Sequence, residues 1–189
     1  MIKLKPGDAK AYYWKGYTLY DMDRKEEAIS AYTNALYYDP GYIEAFFERA
    51  FTRYEMEKYD EAIEDFNKVI ALDSNYIDAY YNRGLCYYSK EDRVNAMYDF
   101  KRVVTLNVQD ADAWYQIGYI SNDNKKYDEA VAAYTQVLQL EPEAADAYYE
   151  RGLAYYNLYQ DDAACADWAK GTQLGDELCK QEYDAKCDQ

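Results

Sequence analysis

Apolar and small side chains recur along this chain in steps of three and four, and short polar turns interrupt them at regular intervals. That is the spacing of amphipathic helices, not of strands. Tyr12 and Gly16 precede the polar turn Met22-Asp23-Arg24, and Ala28, Tyr32 and Ala35 follow it. The pattern predicts a helix on each side of the turn, packed as a hairpin. It then returns every 34 residues. Gly16, Ala50, Gly84, Gly118 and Gly152 form one column, and Ala28, Ala62, Ala96, Ala130 and Ala164 a second. Tyr12, Phe46, Tyr80, Trp114 and Tyr148 form a third, and Tyr32, Phe66, Phe100, Tyr134 and Trp168 a fourth. Small residues let two helices approach closely, and the aromatic columns fill the space between hairpins. The reading is ten helices in five hairpins, without β-sheet.

Local signals agree. Each second helix has acids in or just before its first turn: Glu26 and Glu27, Asp60 and Glu61, Glu91 and Asp92, Asp128 and Glu129, Asp161 and Asp162. Carboxylates there complement the positive end of the helix dipole. The polar stretch Asn122-Asp123-Asn124 predicts that the first helix of the fourth hairpin ends early. At the C-terminus, Leu178, Cys179, Tyr183 and Cys187 fall at helical spacing, which predicts a capping helix over the last hairpin's apolar face. At the N-terminus, residues 1–8 fit the last turn of a preceding second helix, with Pro6 34 residues before Pro40. The expectation is a chain cut from a longer array.

The order aromatic, small, small, aromatic and closing proline, seen in Trp114, Gly118, Ala130, Tyr134 and Pro142, resembles the tetratricopeptide repeat family. Tyr12, Gly16, Ala28, Tyr32, Ala35 and Pro40 match it too. The resemblance implies an all-α, right-handed α-solenoid of five helix-turn-helix hairpins plus the C-terminal capping helix. The repeats would occupy 9–42, 43–76, 77–110, 111–144 and 145–178, with 1–8 a remnant of a preceding repeat and 179–189 the end of the cap. Ser74, Val108 and Asp176 depart from the closing proline, and Arg53 and Ser121 stand where Leu19, Tyr87 and Tyr155 stand elsewhere.

Composition narrows the function. The formal charge of −15 over 189 residues repels phosphates, which disfavours nucleic acid and anionic membranes. No apolar run approaches the roughly 20 residues of a membrane span. Without a single histidine there is no Ser-His-Asp or Cys-His arrangement and no HExxH motif, and no phosphate-cradling glycine loop occurs. The expectation is a protein that is not an enzyme and needs no cofactor or metal. The four cysteines lack a CxxC pair. Cys179 and Cys187 lie two helical turns apart, too far to bond on one helix, while Cys165 could reach either across a helix pair. Free thiols are expected, in a soluble protein with the cytoplasm favoured over an extracytoplasmic compartment.

The resemblance implies that first helices line a concave groove. Helical spacing then selects Lys10, Tyr13, Tyr17, Tyr20 and Asp21; Glu44, Phe47, Phe51, Tyr54 and Glu55; and Asp78, Tyr81, Leu85, Tyr88 and Ser89. Asp112, Tyr115, Tyr119, Asn122 and Asp123 follow, then Asp146, Tyr149, Leu153, Tyr156 and Asn157. Tyrosines and rim acids at these positions are ordinary in the family and serve packing and solubility as well as binding. The column Tyr17, Phe51, Leu85, Tyr119, Leu153 is less ordinary, because the family usually places a polar residue there. Chaperone-tail binders of the family hold a terminal carboxylate with Lys, Asn and Arg. The matching positions here hold Tyr13, Tyr17, Glu48, Asp78 and Asn82, with no cation, which disfavours that ligand. An aromatic floor with acidic walls predicts a protein or peptide partner, neutral to basic, with apolar anchors. A structural spacer, a self-association module and a glycan-like ligand groove are the alternatives.

Overall fold

The computed structural model describes residues 7–187, so the expected remnant over residues 1–8 lies mostly outside it. The described chain is all-α, in the manner of an α-solenoid: α1 Ala9–Asp21, α2 Lys25–Tyr38, α3 Ile43–Glu55, α4 Tyr59–Leu72, α5 Ile77–Ser89, α6 Arg93–Leu106, α7 Ala111–Asp123, α8 Tyr127–Leu140, α9 Ala145–Asn157, α10 Asp161–Gln173 and α11 Glu177–Lys186. It forms two compact units, one ending at Asp99 and the other starting at Phe100, inside α6. In the first unit α1 packs on α2, α2 on α3, α3 on α4 and α4 on α5; in the second the same order runs from α7 to α11.

Close helix approach explains the repeated columns. Ala28, Ala62 and Ala96 in the first unit, and Ala130 and Ala164 in the second, are fully buried, as are Tyr32, Phe66, Phe100, Tyr134 and Trp168. A Cβ on Gly16 would stand 2.6 Å from Cδ1 of Tyr32, and one on Gly118 2.8 Å from Cζ of Tyr134. Each ring therefore lies directly across the glycine of the first helix. The other aromatic column is mostly half-buried and does something else. Tyr80 donates its hydroxyl to Ser74 O, Trp114 its indole N–H to Val108 O, and Tyr148 its hydroxyl to Pro142 O. These rings bridge the turn from one hairpin to the next. Two of the residues that depart from the closing proline, Ser74 and Val108, thus serve as acceptors, and the turn geometry survives. Asp39, Asp73 and Asn107 reinforce it by accepting the N–H two residues on.

Turns within hairpins share one unusual device. Asp23, Glu57, Glu91, Lys125 and Tyr159 have φ between 57° and 61°, a left-handed position usually given to glycine. The next N–H reaches back to the last helical turn, as Arg24 N does to Leu19 O at 2.9 Å. The non-glycine residues endure this conformation because helices on both sides fix it.

A polar contact links hairpins in three places. Arg49 pairs bidentately with Asp65, Arg83 with Asp99, and Arg151 with Asp167. The remaining guanidinium nitrogen donates to the preceding second helix: Thr33, Asn67 or Thr135. The fourth repeat abandons the arrangement. Lys101, which cannot accept, stands in the Thr33 column, and the pair is replaced by buried Ile117 and Ala133. Acceptor, arginine and aspartate thus come and go together. Arg53, the other family departure, adds a second guanidinium to Asp65.

Three expectations need correction. The first helix of the fourth hairpin does not end early: α7 has the same 13 residues as the other first helices. Ser121 is buried by packing, and Asn122 donates its amide to Glu150 O at 3.3 Å, so tertiary contacts override the local polarity. Leu178 is not part of the cap's apolar face and stays exposed, because Cys179, Tyr183 and Cys187 form the stripe that packs on Ala164 and Trp168. Nor are all four thiols free, because Cys165 of α10 is disulfide-bonded to Cys187. Cys86 and Cys179 stay reduced, and burial pushes each thiol up to about 12, so neither is a nucleophile at neutral pH.

Asp99→Ala should cost about 3–5 kcal/mol by stranding Arg83, while Arg83→Ile with Asp99→Ala should recover most of it; urea melts of the single and double variants check this. Ala62→Leu should cost about 1–3 kcal/mol by overpacking α3 against α4, more than any substitution on the exposed face of α3. Cys165→Ser, or reduction, should remove about 3 kcal/mol, the chain-entropy value for a loop of this size, and should raise amide exchange in α11 first. Equal exchange in the oxidised and reduced chains would contradict the stapling role of the disulfide.

Candidate interaction surface

First helices are the inward helices of each unit. In the first unit α1 touches α3 and α3 touches α5, and in the second α7 touches α9 and α9 touches α11. Contacts of that extent do not join α2 to α4 or α8 to α10 among the described residues. The second helices are therefore splayed, and the free side of the first helices is the concave one.

The groove residues selected from sequence divide by burial. Tyr13 and Tyr20 pack against the core around Leu19 and Tyr32, Phe47 and Tyr54 against that around Phe66, Tyr115 against Tyr134, and Tyr149 and Leu153 against Trp168. These side chains are half wall and half core. In the floor column Tyr17 and Tyr119 are the exposed members, and Phe51, Leu85 and Leu153 are half-buried. Tyr81 and Tyr88 are also half-buried. Phe51 lies between Tyr20, at 6.2 Å, and Tyr54, at 6.4 Å, so an aromatic row runs over α1 and α3. Also on α1, Trp14 lies 5.8 Å from Tyr17 and is more than half exposed.

Glu44, Asp78, Asp112 and Asp146 lie in the first turns of α3, α5, α7 and α9, on the water-facing edge of the groove. There they complement the helix dipoles. They also act on the tyrosines: burial first, then the carboxylates of Glu48 and Glu44, push the Tyr13 hydroxyl up to about 12. Burial raises the Glu48 carboxyl above its ordinary range, and Asp21 adds to the rise. Burial likewise raises Glu150, opposed by the amide of Asn122 and the hydroxyl of Tyr134 and helped by Asp123 and Asp146. In the second unit Tyr119, Asp123, Glu150, Leu153 and Asn157 line one shared concavity.

Two groove tyrosines already carry a cation from the chain itself. The guanidinium of Arg93 lies 4.0 Å from the Tyr88 ring centroid, and the Lys186 ammonium lies 4.0 Å from that of Tyr156. Glu48 and Glu150, which the helical spacing did not select, lie half-buried beside Tyr13 and Tyr134 respectively.

Known proteins fit this architecture. The solved structure described as "Crystal structure of MamA protein" superposes with a TM-score of 0.85 at 26% identity, over 94% of this chain and 97% of that one. "Crystal structure of YrrB: a TPR protein with an unusual peptide-binding site" gives 0.83 at 25%, over 94% and 93%. A MamA fragment from Desulfovibrio magneticus RS-1 gives 0.82 at 20%, over 89% and 95%, a likeness of fold. No curated protein matches in sequence. A family model described as TPR repeat matches residues 52–91 and 118–158, and two described as tetratricopeptide repeat match 9–42 and 78–107. With the columns of small and aromatic residues packed as hairpins and these models matching across both units, the chain belongs to the tetratricopeptide repeat family.

Proposed function

We propose that this chain is a non-enzymatic protein-interaction scaffold that holds an extended segment of a partner protein against its first helices. The observation that carries this reading is the aromatic row Tyr17, Tyr20, Phe51 and Tyr54 on the inward side of α1 and α3, edged by acids. Tyr17 is exposed and the other three are only half-buried, and a monomer gains little by leaving such surface in water. An incoming apolar or proline side chain would bury there, and flanking lysines or arginines would meet the rim. That ligand differs from a terminal carboxylate, for which Glu48 and Asp78 would be repulsive. YrrB, a TPR protein of similar structure with a peptide-binding site, supports the same use of the fold. The Cys165–Cys187 disulfide favours an oxidising compartment over the cytoplasm as the setting.

Titration calorimetry with a panel of decapeptides capped at both ends, varied in proline, aromatic and lysine content, tests the reading. Burying an aromatic anchor contributes about 1.5–3 kcal/mol, so Phe51→Ala should weaken the best binder by roughly tenfold or more. Asp112→Asn should mainly reduce the salt dependence. Restoring the free C-terminal carboxylate of the peptide should not improve binding. If Phe51→Ala binds like the parent chain, the row is an extended core and the spacer reading replaces this one.

A further inference from the structure

The same five side chains occur twice at equivalent places. Tyr13, Tyr17, Asp21, Tyr32 and Glu48 in the first unit become Tyr115, Tyr119, Asp123, Tyr134 and Glu150 in the second, each three repeats later. The repeats between keep neither set: Phe66 is matched with Asn82, and Phe100 with Gln116. Where the buried ring carries a hydroxyl, the residue sixteen positions on is a glutamate. In the two repeats between, where it carries none, that residue is an amide. Packing alone does not require this, because Phe fills the core position as well as Tyr.

Tyr32 and Tyr134 are fully buried, yet neither hydroxyl has a hydrogen bond of good geometry. Such an orphan is costly, so it calls for an explanation. Each ring crosses the glycine of its first helix, which brings its hydroxyl to the groove side. The charges and hydroxyls that act on Tyr32 there are Glu48, Tyr13, Asp21 and Tyr17, and on Tyr134 the equivalent Glu150, Tyr115, Tyr119 and Asp123. Glu48 and Asp21 have no ion pair among the described residues, and Glu150 meets only neutral groups, the Asn122 amide at 3.3 Å and the Tyr134 hydroxyl. Each place therefore gathers a half-buried glutamate without an ion pair, a buried hydroxyl oxygen able to accept, and tyrosine rings.

A cation with several N–H groups suits the carboxylate and the hydroxyl oxygen together. The chain shows the binding mode with its own residues: Lys186 sits over Tyr156 while its ammonium pairs with Glu182 at 2.6 Å, and Arg93 sits over Tyr88. We propose that each of the two cups takes one lysine or arginine side chain of the partner segment. Glu48 or Glu150 is the counter-ion, and the hydroxyl of Tyr32 or Tyr134 accepts one N–H. This rests on the peptide-groove reading above. Trp14 widens the aromatic wall of the first cup, while Gln116 takes its place in the second, so the first cup binds more tightly.

The test uses the oxidised full chain and a capped Ala-Pro-Lys-Pro-Ala peptide, followed by amide chemical shifts. The shifts should centre on α1 and α3 and, at higher peptide concentration, on α7 and α9. The acetyl-lysine version of the peptide should not bind. Glu48→Gln should raise the dissociation constant of the first cup at least fivefold and leave the second unchanged, and Glu150→Gln should do the reverse. Tyr32→Phe should weaken the first cup severalfold without lowering the melting temperature, since it removes only an unpaired hydroxyl. Glu64→Gln, the same charge change on the outward side of α4, should do nothing. If it weakens binding as much as Glu48→Gln does, the peptide senses only net charge and the cups are refuted. Shifts on the first helices that ignore both glutamate variants would refute the cups and spare the groove. Shifts elsewhere would refute both.

Discussion

The crossing of each first helix over its partner is the contact from which the rest of this structure follows. It works because a small residue faces a fully buried aromatic ring, as Gly16 faces Tyr32, Gly118 faces Tyr134 and Gly152 faces Trp168. Gly16 under Tyr32 and Gly118 under Tyr134 leave no room even for a methyl group. Closely packed interiors tolerate little change in volume, so the crossing fixes the hairpin angle and thereby which side of the first helix remains free. Turn residues such as Glu57 and Lys125 can then be held at positive φ without glycine, because the helices they join are already placed.

Polar contacts refine the stack. The Arg49–Asp65, Arg83–Asp99 and Arg151–Asp167 pairs are largely shielded from water and reach an acceptor on the preceding hairpin. A buried ion pair is weak evidence for net stability, since desolvation offsets attraction. Its use here is geometric: it ties one hairpin to the next at a single rotation. The Ile117 and Ala133 alternative shows that the fold accepts an apolar solution to the same problem.

The buried aromatic column is not uniform. Rings at Phe66, Phe100 and Trp168 fill space. Tyr32 and Tyr134 fill the same space but also carry a hydroxyl through to the concave side, beside glutamates whose carboxyls burial has raised. The floor residue Tyr17 is exposed while Leu153 packs on the core, so the groove is not one uniform apolar strip.

Most of the fold was legible in the sequence, because a repeated helical hairpin depends on spacing, and spacing is written directly in residue order. The columns of Gly, Ala and aromatic residues, the positions of the turns and the C-terminal cap could all be read that way. The selection of the concave-face positions followed from the same periodicity. What depended on three dimensions was anything joining residues far apart in the chain. Local polarity suggested a short α7, but Asn122 and buried Ser121 hold it to full length through their packing. Four cysteines allowed several outcomes, and only the docking of α11 on α10 brought Cys187 to Cys165. Periodicity can say which face of a helix a tyrosine occupies. It cannot say whether the hydroxyl at the end of that ring has found a partner, because that depends on which helix arrives opposite.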